Sequence, residues 1–116
     1  MIALLLAAAV ASQPAAQDVA FDQLAQGRDA AAIRQIEGQP DQASDPARLI
    51  NLGIAYARRG EAQRARSLFE AAYYARDRVE LETATGEWVD SRILARQALA
   101  MLDRGHFVPG SQLARN

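Results

Sequence analysis

Several side-chain types are absent or scarce in this chain of 116 residues. It contains no cysteine and no lysine, and His106 is its single histidine. Without cysteine the chain forms no disulfide, offers no thiolate nucleophile and builds no cysteine metal site. One histidine excludes a site of several imidazole ligands and gives no basis for a Ser-His-Asp triad. We therefore assign no catalytic residue, no cofactor and no metal, and expect a protein that is not an enzyme.

Net charge and aromatic content are also low. Thirteen arginines balance fourteen acidic residues, so the net charge of −1 gives no electrostatic argument for binding nucleic acid. Half of the residues are apolar, but many are alanine and only 6% are aromatic. Alanine favours helix and buries little surface per residue. The composition predicts one small all-α domain with a thin core.

The first 16 residues contain no charged side chain. Residues 2–10 are an uninterrupted apolar run, too short for the roughly 20 residues that span a bilayer. Small residues at Ala9 and Ala11 suit a signal peptidase, and Ala16 offers a second cleavage point. No basic residue precedes the run, and an ordinary apolar helix is the alternative. We predict that residues 1–16 are a cleaved signal peptide and that the protein is periplasmic or secreted, without stable membrane insertion.

A helical hairpin is predicted in the middle of the chain. Leu49, Leu52, Gly53 and Tyr56 recur at the spacing of one helix face, and Gly60 suits the end of that helix. A second helix repeats this spacing with the following residues: Ala65, Leu68, Phe69 and Ala72. The order of small and aromatic residues resembles the tetratricopeptide repeat. This resemblance implies a short stack of helical hairpins, in which Phe69 is buried between two helices, and a protein-interaction adaptor as function.

Helix boundaries follow from caps and glycines. Asp45 and Pro46 suit a helix start, so we expect one helix from there to about residue 59 and the next over about 61–77. A degenerate first repeat is expected around Gly27, which precedes Gly60 by 33 residues. A last helix is expected over about 92–104, capped by Asp90 or Ser91. The predicted helical domain covers residues 18–106, and residues 107–116 form a tail.

A small inserted β-hairpin is predicted at about residues 79–89, with an irregular loop as the alternative. Apolar and polar residues alternate there around Leu81, and Gly86 suits a turn. Glu80 and Glu82 are expected on a solvated face, although paired carboxylates are also what acid–base catalysis requires. For Trp88 we favour a plug that fills the gap beside the insert. An exposed binding anchor is the alternative, since tryptophan is enriched at binding hot spots.

The resemblance also implies a peptide-binding groove lined by the first helix of each repeat. Its predicted residues are Ala47, Ile50, Asn51, Ile54, Arg58, Arg92 and Arg96. In some repeats of this family an asparagine and two basic residues hold the terminal carboxylate of a peptide, and Asn51, Arg92 and Arg96 stand at matching places. Guanidinium groups suit carboxylates because they donate two parallel hydrogen bonds. The expected partner is an unidentified peptide or protein, and a self-associating structural protein of the cell envelope is the alternative.

Overall fold

The computed structural model describes residues 20–39 and 44–107. Within them the chain is mostly helical, with one small antiparallel β-hairpin, as predicted from the sequence. The elements in chain order are α1 (Phe21–Ala25), α2 (Asp29–Glu37), α3 (Pro46–Arg58), α4 (Ala62–Tyr73), β1 (Glu80–Glu82), β2 (Trp88–Asp90) and α5 (Ser91–Asp103). The predicted signal peptide and the predicted tail beyond residue 107 lie outside the described residues.

The caps of α3 and α5 were predicted correctly. Asp45 accepts a hydrogen bond from the backbone N–H of Ala47 at 3.3 Å, and Pro46 is the first residue of α3. Asp90 accepts one from the backbone N–H of Arg92 at 2.7 Å and so caps α5. Each carboxylate satisfies an N–H group that the helix itself leaves unbonded. After α3, Gly60 adopts a φ of 85°, which a glycine does at little cost.

Helix α3 is the centre of the fold. Helices α1, α2, α4 and α5 all contact it, and α5 also packs against α4. The short connection between α3 and α4 makes these two helices a hairpin. Phe69 of α4 is fully buried at their contact, as predicted, and a Cβ atom on Gly53 of α3 would lie only 2.5 Å from its Cε1 atom. Glycine therefore permits the close approach that Phe69 fills.

Helix α4 ends at Tyr73, four residues before the predicted end at Asp77. The chain then runs into the hairpin and is tied to the start of α5. The N–H of Val79 donates to Oγ of Ser91 at 3.1 Å, and the N–H of Ser91 donates to the carbonyl oxygen of Val79 at 2.8 Å. These two bonds fix where the hairpin leaves the helical stack.

The hairpin turns one face towards the core. In the register, Leu81 lies opposite Val89, Glu82 opposite Trp88 and Glu80 opposite Asp90. Leu81 is fully buried and Val89 packs against the core, whereas Glu80, Glu82 and Trp88 are exposed. Alternate residues of a strand point to opposite faces, so one face of the hairpin is apolar and inward, and the other is polar and outward.

Phe107, which the sequence analysis assigns to the tail, belongs to the core. It is buried and its ring centroid lies 5.9 Å from that of Phe69. Among the residues that the structure describes, none of the helices combines the length and apolarity that a membrane span requires.

Candidate functional site

Four of the predicted groove residues lie inside the protein. Ala47, Ile50, Asn51 and Ile54 are each at most 1% exposed. All four belong to α3, which is in contact with four other helices. A peptide therefore has no access to these side chains in this structure, and an open groove along this part of α3 is not what the fold presents.

Arg58, the fifth predicted groove residue, connects α3 to α1 and α2. Its guanidinium Nη1 donates to the carbonyl oxygen of Leu24 at 3.0 Å and to Oδ1 of Asp29 at 3.1 Å. Partial burial raises the pKa of Asp29, and the bond and charge of Arg58 oppose that rise. Arg58 is thus engaged within the protein, where it holds the end of α1 and the start of α2 against α3.

The three residues of the predicted carboxylate clamp are differently placed. Asn51 is fully buried, Arg92 is half-buried and Arg96 is exposed. The guanidinium of Arg92 donates to the carbonyl oxygen of Ala75, just after α4, at 3.4 Å. Because Asn51 is fully buried, these three side chains do not share one accessible surface.

The outward face of the hairpin presents the accessible tryptophan. Trp88 is 53% exposed, so the prediction that it plugs a gap in the core is wrong. Leu81, one residue before Glu82, takes the inward place instead. We call Glu80, Glu82, Glu87 and Trp88 the hairpin face: the first two and Trp88 share the outward side, and Glu87 is the exposed neighbour of Trp88 in the turn.

Carboxylates dominate the hairpin face. Within the described part of the chain, Glu80, Glu82 and Glu87 form no ion pair. Asp90, which shares the outward side with Glu80 and Glu82, is neutralised by Arg78, whose Nε and Nη2 atoms donate to its Oδ2 at 3.0 and 2.7 Å. This bond lowers the pKa of Asp90. The hairpin face therefore carries negative charge beside an exposed indole ring.

Two more large apolar side chains are exposed near the same end of the stack. Tyr74, which follows α4, is 76% exposed, and Ile93, in the first turn of α5, is 40% exposed. The bond from Arg92 to Ala75 holds the start of α5 beside the end of α4. Tyr74, Trp88 and Ile93 thus lie where α4 ends, the hairpin projects and α5 begins. Large exposed apolar side chains at one end of a domain make that end a candidate interaction surface.

A shallow cleft of about 500 Å³ lies between the start of α3 and the end of α4. Its lining consists of Ser44, Leu49, Ala71, Ala75, Arg76 and Asp77. Arginine and aspartate side chains next to each other give the cleft no dominant charge. It adds a recess to the end of the stack that carries the exposed aromatic residues.

Glu82 and Asp90 do not meet in a cleft as a pair of carboxylates for acid–base catalysis. Glu82 is exposed opposite Trp88, and Asp90 is bound to Arg78 and caps α5. His106 is exposed after α5. Over residues 20–39 and 44–107, no group of three or more histidine, aspartate or glutamate side chains is placed to hold a metal ion.

The sequence pattern contains part of the signal for this site. Alternation around Leu81 predicts which hairpin residues point outward, but it does not place Trp88, because the register across the turn decides its side.

Searches against protein-family models, curated proteins and solved structures find no match for this chain.

Proposed function

We propose that this chain is a protein-interaction module of the tetratricopeptide type, which binds a peptide or protein segment as an adaptor. The observation that carries the proposal is the exposure of three large apolar side chains, Tyr74, Trp88 and Ile93, at the junction of α4, the hairpin and α5. Tryptophan and tyrosine are enriched among residues that dominate binding energy, since each buries a large area at low entropic cost. The α3–α4 hairpin packed on α5 agrees with the stacking of helical repeats.

The binding surface of this adaptor differs from the predicted groove. Since Ala47, Ile50, Asn51 and Ile54 are buried, a partner would have to displace helices packed on α3 to reach them. We call Tyr74, Ile93 and the hairpin face together the hairpin end. It needs no such opening, because its side chains already face solvent. We therefore assign partner binding to the hairpin end, with Arg96 among its exposed neighbours on α5.

We further propose that the adaptor works outside the cytoplasm. The support is the apolar stretch of residues 2–10, together with the small residues Ala9 and Ala11 around its end, which suit a signal peptidase. Mass spectrometry of the protein from its native cells should place the mature N-terminus at Ser12 or close to Gln17. A protein that retains Met1 and fractionates with cytoplasmic markers would contradict the assignment.

Affinity capture with matched variants tests the binding function. Wild-type protein, Trp88→Ala and Arg104→Ala are immobilised at equal density and exposed to the same cell-envelope extract. Arg104 is also exposed, but it follows the far end of α5. We expect proteins that wild type and Arg104→Ala retain and Trp88→Ala loses. Identical retention by all three would contradict binding through the hairpin end.

Self-association is the second candidate function, and the same exposed side chains favour it. A second copy of the chain that covers Tyr74 and Trp88 would bury the same apolar surface as a foreign partner. Sedimentation over a wide concentration range separates the two candidates. The adaptor should remain monomeric, whereas an envelope structural protein should gain mass with concentration and lose that gain in Trp88→Ala.

A further inference from the structure

We infer that the hairpin face docks a segment of another protein that carries arginine or lysine side chains, with one cation placed over the ring of Trp88. This inference rests on the proposed binding function and adds the chemical class of the partner. It follows from the residues that surround the indole ring and from their lack of internal counter-ions.

The register places two carboxylates beside the indole ring. Glu82 is directly opposite Trp88, and Glu80 lies two residues farther along the same face of β1. Directly opposed residues have Cβ atoms about 4.5–5.5 Å apart, and diagonal neighbours about 7–8 Å. Glu87 precedes Trp88 in the chain and is exposed. Two carboxylates thus lie on the same face as the exposed ring, and Glu87 adds a third negative charge next to it in the chain.

Arg78 and Arg92, which flank the hairpin in the chain, already have partners within the protein. Arg78 is bound to Asp90 through two nitrogen atoms. Arg92 is directed to the carbonyl oxygen of Ala75, after α4. In the described part of the chain, the carboxylates of the hairpin face therefore receive no neutralising arginine. A partner that supplies cations would neutralise these carboxylates, whereas an acidic partner would be repelled by them.

Tryptophan and carboxylates favour the same ligand group. The face of an indole ring attracts a guanidinium or ammonium group within about 6 Å of its centroid, and tryptophan does so best among the aromatic residues. A guanidinium group that stacks on the ring can still donate hydrogen bonds to a carboxylate at its edge. Trp88 with Glu82 opposite offers both interactions at once, which selects a basic segment over a purely apolar one.

Fluorescence titration of the full chain tests this inference. Trp88 is the single tryptophan, so tryptophan emission reports this site alone. The probe is a short peptide of alternating glycine and arginine, acetylated and amidated at its ends. The matched probe replaces arginine by citrulline, which has a similar shape and no charge. The variants are Glu80→Gln/Glu82→Gln and, as control, Asp22→Asn on α1, an exposed carboxylate on a helix that contacts α2 and α3.

We expect a saturable change in emission with the arginine peptide and a much weaker one with the citrulline peptide. Loss of two exposed charges should weaken binding about three- to tenfold in the double glutamine variant, and Asp22→Asn should bind as wild type does. Added salt should weaken the wild-type complex, since exposed charges are screened. Far-UV circular dichroism should be unchanged in all variants because the replaced carboxylates are exposed.

Three results would overturn the inference: equal binding of the two peptides, an equal loss in Asp22→Asn, or no change in emission with the arginine peptide. Failure of this inference can be told apart from failure of the proposed binding function. If envelope proteins are still captured in a Trp88-dependent manner and the double glutamine variant captures them equally well, the adaptor function stands and its partner is not selected by charge. If capture does not depend on Trp88, the binding function itself fails.

Discussion

Removal of the Phe69 ring is the perturbation whose effect the structure defines best. The ring is fully buried, fits against Gly53 of α3 and lies 5.9 Å from the ring centroid of Phe107. Phe69→Ala therefore removes contacts with α3 and with the segment after α5 together. Replacing a buried phenylalanine by alanine costs about 3–5 kcal/mol, through lost burial and the cavity left behind. Domains of this kind have only about 5–15 kcal/mol of unfolding free energy in total.

A thermal melt followed by circular dichroism measures this loss. For a small domain, 1 kcal/mol shifts the Tm by about 4–8 °C, so Phe69→Ala should lower the Tm by about 12–40 °C or unfold the protein outright. Tyr74→Ala is the control, because Tyr74 is an aromatic residue that is 76% exposed. Its effect should stay within about 0.5 kcal/mol. A shift of only a degree or two in Phe69→Ala would refute the packing of α3 on α4 described above.

Gly53→Ala tests the same contact from the opposite side. The new Cβ would lie 2.5 Å from Cε1 and 2.7 Å from Cδ1 of Phe69. Overpacking of this kind costs about 1–3 kcal/mol, against up to about 1 kcal/mol gained in helix propensity. In the Phe69→Ala background the clash is absent, so Gly53→Ala should become neutral or stabilising. A double-mutant cycle by urea unfolding that shows additive effects would contradict the close approach.

Two further predictions concern ionised side chains. Asp90→Asn keeps a good helix cap but loses the ion pair with Arg78, and should lower the unfolding free energy at pH 7 by up to about 1 kcal/mol. Because the pKa of Asp90 is lowered in the folded protein, its contribution is present above the unfolded value near 3.8, and the difference between variant and wild type should shrink as the pH falls through the folded value. Arg58→Met removes the partner that opposes the raised pKa of Asp29, so this pKa should rise further in an NMR titration of aspartate carboxyl carbons. The stability lost in Arg58→Met should be smaller at acidic pH, where Asp29 is protonated in both states, than at pH 7; an unchanged pKa of Asp29 would contradict the contact.

Local sequence patterns were sufficient to predict most helices and the β-hairpin of this fold. The cap at Asp45, the buried Phe69, the hairpin around Leu81 and the cap at Asp90 each follow from spacing within a few residues. Periodicity of 3.6 or 2 residues tells which side of an element is apolar, and capping residues tell where a helix begins. These interactions are local, so the sequence contains them in readable form.

The candidate site depends on contacts between distant parts of the chain, and these were not predictable in the same way. The spacing of Ile50 and Ile54 shows that they share a side of α3, but not that the helices around α3 leave that side without access to solvent. Arg66 of α4 has Glu70 one turn away on the same helix, but its ion pair is with Asp103 of α5. A neighbouring helix such as α5 supplies partners from a distant part of the sequence, and i, i+4 spacing within α4 does not predict them.

Chemical-shift mapping with a captured partner segment tests the central claim most directly, namely that binding occurs at the hairpin end and not in a groove along α3. Isotope-labelled protein is titrated with the segment, and amide shifts are followed over residues 20–39 and 44–107. We predict that the largest shifts occur over residues 80–93 and at Tyr74, while the amides of Ala47, Ile50 and Ile54 change little. Largest shifts at those α3 amides, with residues 80–93 unchanged, would contradict the account.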